Sequence, residues 1–313
     1  MGLLTKNAWF VILNPASRMG KSYKIWQKTI NPLLQQLGIK YELYQTTAPL
    51  HAAELVQQAA AQGYTQILAV GGDGLLHEVV NGLMKLPAEK RPLLGVIPCG
   101  TGNDWVKTLG IPVQPQKSLA AFRTGKIKSF DVAKVNVSQP NGTSSNFYSC
   151  NVAGAGFDGY VAQAMLHWPN AKRWGRASYF AAILKSMWAY KNVNCTVTTN
   201  EGQIYEGPLY LMAAGIGKFV GGGMMLCPNA SPHDGLLDVT LIKGLNKLQV
   251  LQQLPNLYNG KFIGHPQIAV FTCKWITINA ETPLYLQAEG ELLGHTPIRI
   301  EIIPEAIQVV VPN

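Results

Sequence analysis

Hydrophobic and polar positions alternate with two different rhythms along this chain. Residues 8–13 (AWFVIL) form a short apolar run that stops at Asn14-Pro15-Ala16-Ser17, the pattern of a strand entering a turn. From Tyr23 to Leu37, the residues Ile25, Trp26, Ile30, Leu33, Leu34 and Leu37 recur at helical spacing. KYELYQTT then reads as a strand, HAAELVQQAAAQ as a helix and QILAVGG as a buried strand running into a turn. LLHEVVNGLMK opens another helix, and PLLGVIPCG another buried strand. Strands alternating with helices at this spacing predict a parallel sheet covered on both faces. Residues 1–131 are therefore expected to form a doubly wound α/β domain.

Past Phe130-Asp131 the period becomes two. NFYSCNVAG, NCTVTTN, GPLYLMAAG, GLLDVTLIKG, WITINA, LYLQAEG and PIRIEIIP predict an antiparallel, β-rich, sandwich-like domain over 132–304. Residues 160–190 interrupt it with a helical pattern. The final run AIQVVVP is β-branched without a break and suits a fully buried strand, so 305–313 is expected to return to the first domain.

Composition narrows the function classes. A chain of 313 residues accommodates two cores, and 47% hydrophobic with 14% charged residues describes packed globular protein. No apolar run reaches the roughly 18 residues that a membrane-spanning helix needs. The opening MGLLTKNAWFVILNPAS lacks the layout of a signal peptide, and Lys6 stands where a myristoylation signal carries Ser or Thr. Cys99, Cys150, Cys195, Cys227 and Cys273 form no CxxC pair, which argues against an ordinary zinc site and for reduced thiols in a cytoplasmic protein. The net charge of +9 favours a polyanionic partner. Basic residues are not interleaved with aromatics in any nucleic-acid module, so an anionic membrane face is preferred and nucleic acid is not expected. Oligomeric state has no signature here, and a homodimer is left open.

Two segments carry chemistry. In QILAVGGDGLLHEVV, a buried strand meets Gly71-Gly72-Asp73-Gly74 and a helix starts at once. Glycines allow a ligand to approach the backbone, and a helix start offers unpaired N–H groups to phosphate. An acid in such a turn can hold magnesium or contact phosphates. A plain βα turn needs fewer glycines. GVIPCGTGNDWVKTLGIP repeats the logic one strand later, with Asn103 and Asp104 as natural helix caps. Open α/β sheets bind ligands at the carboxyl ends of their strands, where both turns fall.

These residues resemble a family. NPAS at 14–17, GGDG at 71–74, PCGTGND at 98–104, Phe130-Asp131, NVAGAGFDG at 151–159, DGLLDV at 234–239 and GEL at 290–292 stand in the order seen in bacterial diacylglycerol kinases. That family shares its catalytic domain with sphingosine and ceramide kinases and has an NAD-kinase-like fold. The resemblance implies ATP and Mg2+ as cofactors. It implies ATP contacts at Asn14, Pro15, Ala16, Ser17, Thr46, Gly71, Gly72, Asp73, Gly74, Leu75, Leu76, His77, Thr101, Asn103 and Asp104. Asp73, Asp104 and Asp131 would support magnesium and phosphate positioning, Asp131 among the catalytic residues. A structural magnesium would be held by Asp234 and the carbonyls of Ser231 and Leu236. Glu291 would be the catalytic base on a lipid hydroxyl. The implied partner is a lipid at the cytoplasmic face of an anionic membrane, with peripheral association.

Leu75 replaces the family's Thr, and Glu289 replaces the Asp of its DGE. NAD kinases also use GGDG, so phosphorylation of a soluble acceptor is the alternative enzyme, but NPAS and DGLLDV argue against it. A nucleotide-binding regulator without turnover is the alternative from another class. Gly20-Lys21-Ser22 resembles the end of a P-loop, but Pro15 sits where its first glycine belongs. Gly154, Gly156 and Gly159 fit a dinucleotide fingerprint without the acid expected about 20 residues on. They are read as a packing turn. Gly221-Gly222-Gly223-Met224-Met225 suits either a flexible loop near the lipid or a hairpin. The Trp- and Lys-rich stretch 160–190 suits either a core helix or a membrane contact.

Overall fold

The computed structural model describes residues 7–166 and 183–313. Two compact units divide the chain: Met1–Val132 with Ile303–Asn313, and Ala133–Ile302.

In the first unit, β1 (Trp9–Leu13), β2 (Tyr41–Gln45), β3 (Gln66–Gly71) and β4 (Leu93–Pro98) lie parallel in the order β2-β1-β3-β4. Val309, near the end of the chain, pairs parallel with Leu94 of β4. Helices cover both faces, so alternate residues of β1 are all buried: Val11 and Leu13 on one side, Phe10 and Ile12 on the other. This is why β1 reads as a continuous apolar run rather than an alternating one. On the first face, α1 (Ser17–Ile25), a π-helical turn (Trp26–Ile30) and α2 (Asn31–Gln36) supply Trp26, Ile30 and Leu34 to a core with Val11, Leu68 and Ile97. Each such side chain, fully buried, contributes roughly 1.5–3 kcal/mol. α3 (His51–Ala61) and α4 (Asp73–Met84) cross closely: a Cβ on Gly82 would stand 2.8 Å from the Val56 Cβ. α5 (Asp104–Thr108) and α6 (Pro115–Thr124) follow β4.

The second unit is antiparallel, as its alternation requires. The strands used below are β5 (Lys126–Ser138), which enters from the first unit, β6 (Ser144–Ser149), β7 (Val152–Gly156), β8 (Val193–Thr199), β9 (Gly202–Gly215), β10 (Phe219–Val220) and β11 (Met224–Met225). They continue with β12 (Leu237–Lys243), β13 (Ile268–Cys273), β14 (Trp275–Ala280), β15 (Tyr285–Ala288) and β16 (Glu291–Val311), whose end returns to the first unit. Pairings β9-β7, β7-β15, β15-β16, β16-β14, β14-β8 and β8-β9 close a circuit of strands. The circuit surrounds a core that includes Ala155, Val197, Met212, Leu286 and Ile300. β12 and β13 extend it from β9.

α7 (Phe157–Leu166) follows β7. The glycines of the apparent dinucleotide fingerprint serve packing there, since Cβ atoms on Gly154 and Gly159 would collide with Asp158 and the Tyr285 carbonyl. Gly221–Gly223 form the turn of the β10–β11 hairpin, all three with positive φ. Of the stretch 160–190, residues 167–182 lie outside the described ones, Trp168 and Trp174 among them. Trp188 is exposed and Met187 buried. No described helix is long and apolar enough to cross a membrane.

Candidate functional site

The parallel sheet places four loops along one edge, because strands of one direction end on one side. Asn14 N–H donates to the Val70 carbonyl at 3.2 Å, Thr46 N–H to Leu13 at 2.9 Å and Cys99 N–H to Gly71 at 2.6 Å. These bonds bring together Asn14–Ser17, Thr46, Gly71–Gly74 and the segment with Thr101, Asn103 and Asp104.

The first loop is held from inside. Asn14 Oδ1 accepts the Ala16 N–H at 2.9 Å. The fully buried Ser22 hydroxyl lies 2.7 Å from the Asn14 carbonyl and 3.0 Å from that of Pro15, sharing one proton between them. Arg18, Met19 and Gly20 follow in left-handed conformation, with φ of 56°, 57° and 80°. Two consecutive non-glycine residues there store backbone strain, which is common beside ligands. In sequence, Ser22 is visible only as the end of Gly20-Lys21-Ser22, which here serves the loop's backbone and not a P-loop.

The two glycine turns touch backbone to backbone. A Cβ on Gly72 would stand 2.8 Å from the Gly100 Cα, closer than real Cβ contacts come. Asp73 Oδ1 accepts the N–H of Asp104 at 2.9 Å and of Trp105 at 3.3 Å. Burial raises the Asp73 pKa, the Asp104 carboxylate adds to this, and backbone N–H bonds oppose it. Asp104 in turn pairs with Lys107 at 2.7 Å. A Cβ on Gly102 would stand 2.8 Å from Asp73 Oδ2 and 3.6 Å from Asp104 Oδ2. Both carboxylates therefore border the space that this missing side chain leaves, an oxygen-lined gap of the chemistry magnesium prefers.

One sequence expectation changes here, and other motif residues gain structural contacts. Asn103 does not cap α5: it sits at φ 53° and bonds its own turn, with Oδ1 accepting from Gly100 N and Nδ2 donating to Gly100 O, each at 3.0 Å. Asp73 supplies the cap from the preceding βα unit. Leu75, Leu76 and His77 are buried, and the Leu76 N–H is committed to the Gly72 carbonyl. Leu75 lies over Gly71, so the absent threonine hydroxyl is replaced by core packing. Asp131 is 1% exposed and accepts the Glu305 N–H at 2.8 Å, which also ties it to the returning C-terminal strand. Glu78, in the α4 segment after the first glycine turn, has a role that local pattern does not signal: its Oε2 accepts the Ala52 N–H at 3.0 Å and ties α4 to the start of α3.

Glu291, Ser231, Asp234 and Leu236 belong to the second unit. Glu291 is exposed and opens β16. Asp234 Oδ1 accepts the Leu236 N–H at 3.1 Å, so the carboxylate already organises its own loop. Burial, then the Asp234 charge, pushes nearby Asp238 up to about 6. A carboxylate with neighbouring carbonyls suits a hard cation such as magnesium. No group of three or more His, Cys, Asp or Glu that could hold a metal ion occurs among the described residues.

The parallel α/β unit with its two joined glycine turns is thus followed by an antiparallel β unit with a carboxylate at a strand start. The model of the diacylglycerol kinase catalytic domain matches residues 8–135, and that of the YegS C-terminal NAD kinase beta sandwich-like domain matches 151–311. The chain is 32% identical over 261 residues to the "Probable lipid kinase YegS-like" of Yersinia pestis (strain Pestoides F), covering 83% of each. The protein of that name from Yersinia pseudotuberculosis serotype O:1b (strain IP 31758) matches equally. A solved diacylglycerol kinase from Bacillus anthracis str. Sterne superposes with a TM-score of 0.70 at 25% identity, covering 97% of both chains. The chain thus belongs to the diacylglycerol kinase family, in its YegS-like branch.

Proposed function

We propose that this kinase transfers the γ-phosphate of ATP to a hydroxyl of a diacylglycerol-like lipid at the cytoplasmic face of an anionic membrane. The observation that carries the reading is the junction of the two glycine turns at Gly72 and Gly100, tied by Asp73. It presents backbone from two successive βα units at one sheet edge, as phosphate binding requires. Asn14–Ser17, Thr46, Gly71–Gly74 and Thr101 would hold the nucleotide, with Leu75, Leu76, His77 and Asn103 acting through backbone or by shaping the turns. Asp73 and Asp104 would face its magnesium, which offsets phosphate charge. Ser231, Asp234 and Leu236 would hold a structural magnesium. Glu291 would take the proton from the acceptor hydroxyl as its oxygen bonds to phosphorus, leaving ADP. The relatives' name, and the net charge of +9, support a lipid at an anionic surface.

Purified protein, radiolabelled ATP, magnesium and diacylglycerol-containing anionic vesicles test this. Label is expected in the lipid fraction, and Glu291→Gln should abolish it. Vesicle-independent labelling of NAD would overturn the lipid assignment, and ATP binding without transfer to any extracted lipid would overturn turnover.

A further inference from the structure

Glu291 follows a two-residue turn, Glu289-Gly290, between β15 and β16, with Ala288 paired to Glu291. Both turn residues have positive φ, 49° and 85°. This is the backbone of the type I′ hairpin turn, which Asn-Gly and Asp-Gly favour and glutamate does not. Glutamate holds a left-handed conformation here, and its side chain is engaged. Oε1 accepts the Ser149 hydroxyl at 2.6 Å and the Asn151 N–H at 3.0 Å, at the junction of β6 and β7. Across the turn, the Gly290 N–H donates to Gln287 Oε1 at 2.8 Å, and Gln287 Nε2 donates to the half-buried Asp158. Beyond the turn the β15–β16 register shifts, and Gln139 donates to the Leu293 carbonyl at 2.7 Å. Bulges of this kind re-aim neighbouring side chains.

We propose that Glu289 is a positioning residue: by bridging its turn to Ser149 and Asn151, it fixes the direction in which Glu291 leaves β16. The inference rests on Glu291 being the base. It assigns Glu289 the work of a hydrogen-bond acceptor, not of a charge or of a turn former. A catalytic group displaced by about 1 Å loses on the order of 100-fold in rate, so the bridge has kinetic consequences.

Three variants in the vesicle assay separate the roles. Glu289→Asn supplies the preferred turn residue but is too short to make the bridge. It should melt no lower than the parent and keep its KM for ATP, while kcat falls about 10- to 100-fold. Glu289→Gln retains the acceptor oxygen, so the bridge persists and kcat should stay within about threefold of the parent. Hydrogen exchange should show the Asn151 amide protected in the parent and in Glu289→Gln, and open in Glu289→Asn. Parental kcat in Glu289→Asn would overturn the proposal. So would a Glu289→Gln variant as inactive as Glu291→Gln, which would make the Glu289 charge itself catalytic. Full activity in Glu291→Gln would instead remove the base assignment on which the inference stands.

Discussion

Asp73 Oδ1 accepts the backbone N–H of Asp104 at 2.9 Å, so the first glycine turn caps the helix that follows the second. Two βα units are thereby locked at the edge where their strands end. The bond explains why a carboxylate can occupy a half-buried turn: helix N–H groups compensate part of its desolvation.

Replacing Asp73 by Ala should lower stability by about 1–2 kcal/mol through loss of this cap. Asp73→Asn keeps an acceptor oxygen and should retain most of that stability. If the Asp73 charge serves the nucleotide's magnesium, both variants lose phosphate transfer alike. Thermal melting beside the vesicle assay separates the two effects.

Gly100 and Gly74 should respond oppositely to alanine. At Gly100 the added Cβ strikes the Gly72 backbone, which should destabilise by about 1–3 kcal/mol and weaken ATP binding. At Gly74, in the first turn of α4, nothing lies within 4 Å, so alanine should stabilise by roughly 0.5–1 kcal/mol. Weaker ATP binding in this more stable variant, read by calorimetry, is the expected mark of a glycine kept for a ligand.

Asp158 should make stability fall as pH rises. Burial raises its pKa, with the Gln287 bond opposing, so the native carboxyl keeps its proton above the unfolded value of about 3.9. Across that window the native state binds more protons than the unfolded one, and stability declines toward neutral pH. Asp158→Asn should gain on the parent as pH rises above about 4 in urea denaturation. A constant difference between the two proteins would refute the assignment.

The thiols should be silent in the native protein. All five cysteines are buried and none is in a disulfide, and burial pushes Cys99 and Cys195 up to about 11 and Cys273 up to about 12. Thiolate is the reactive form. A disulfide reagent should therefore label none rapidly at pH 8 and all five in denaturant.

The sequence by itself determined the alternation of β1 to β4 with helices, the antiparallel second half, the family and both glycine turns. Those features are local: periodicity, glycine and the residues beside it fix them without a partner elsewhere. It did not reveal that Asp73 rather than Asn103 caps α5, that Leu75 is core, or that Asp131 holds Glu305. Nor did it reveal that the antiparallel strands close a circuit, or that Glu289 is bridged to Ser149. Each of these is a bond or packing contact between segments that only folding brings together, 138 residues apart for Glu289 and Asn151. A side-chain carboxylate meeting a distant backbone N–H leaves no periodic trace in the chain. Tertiary contacts of this kind therefore set which motif residues hold the others in place.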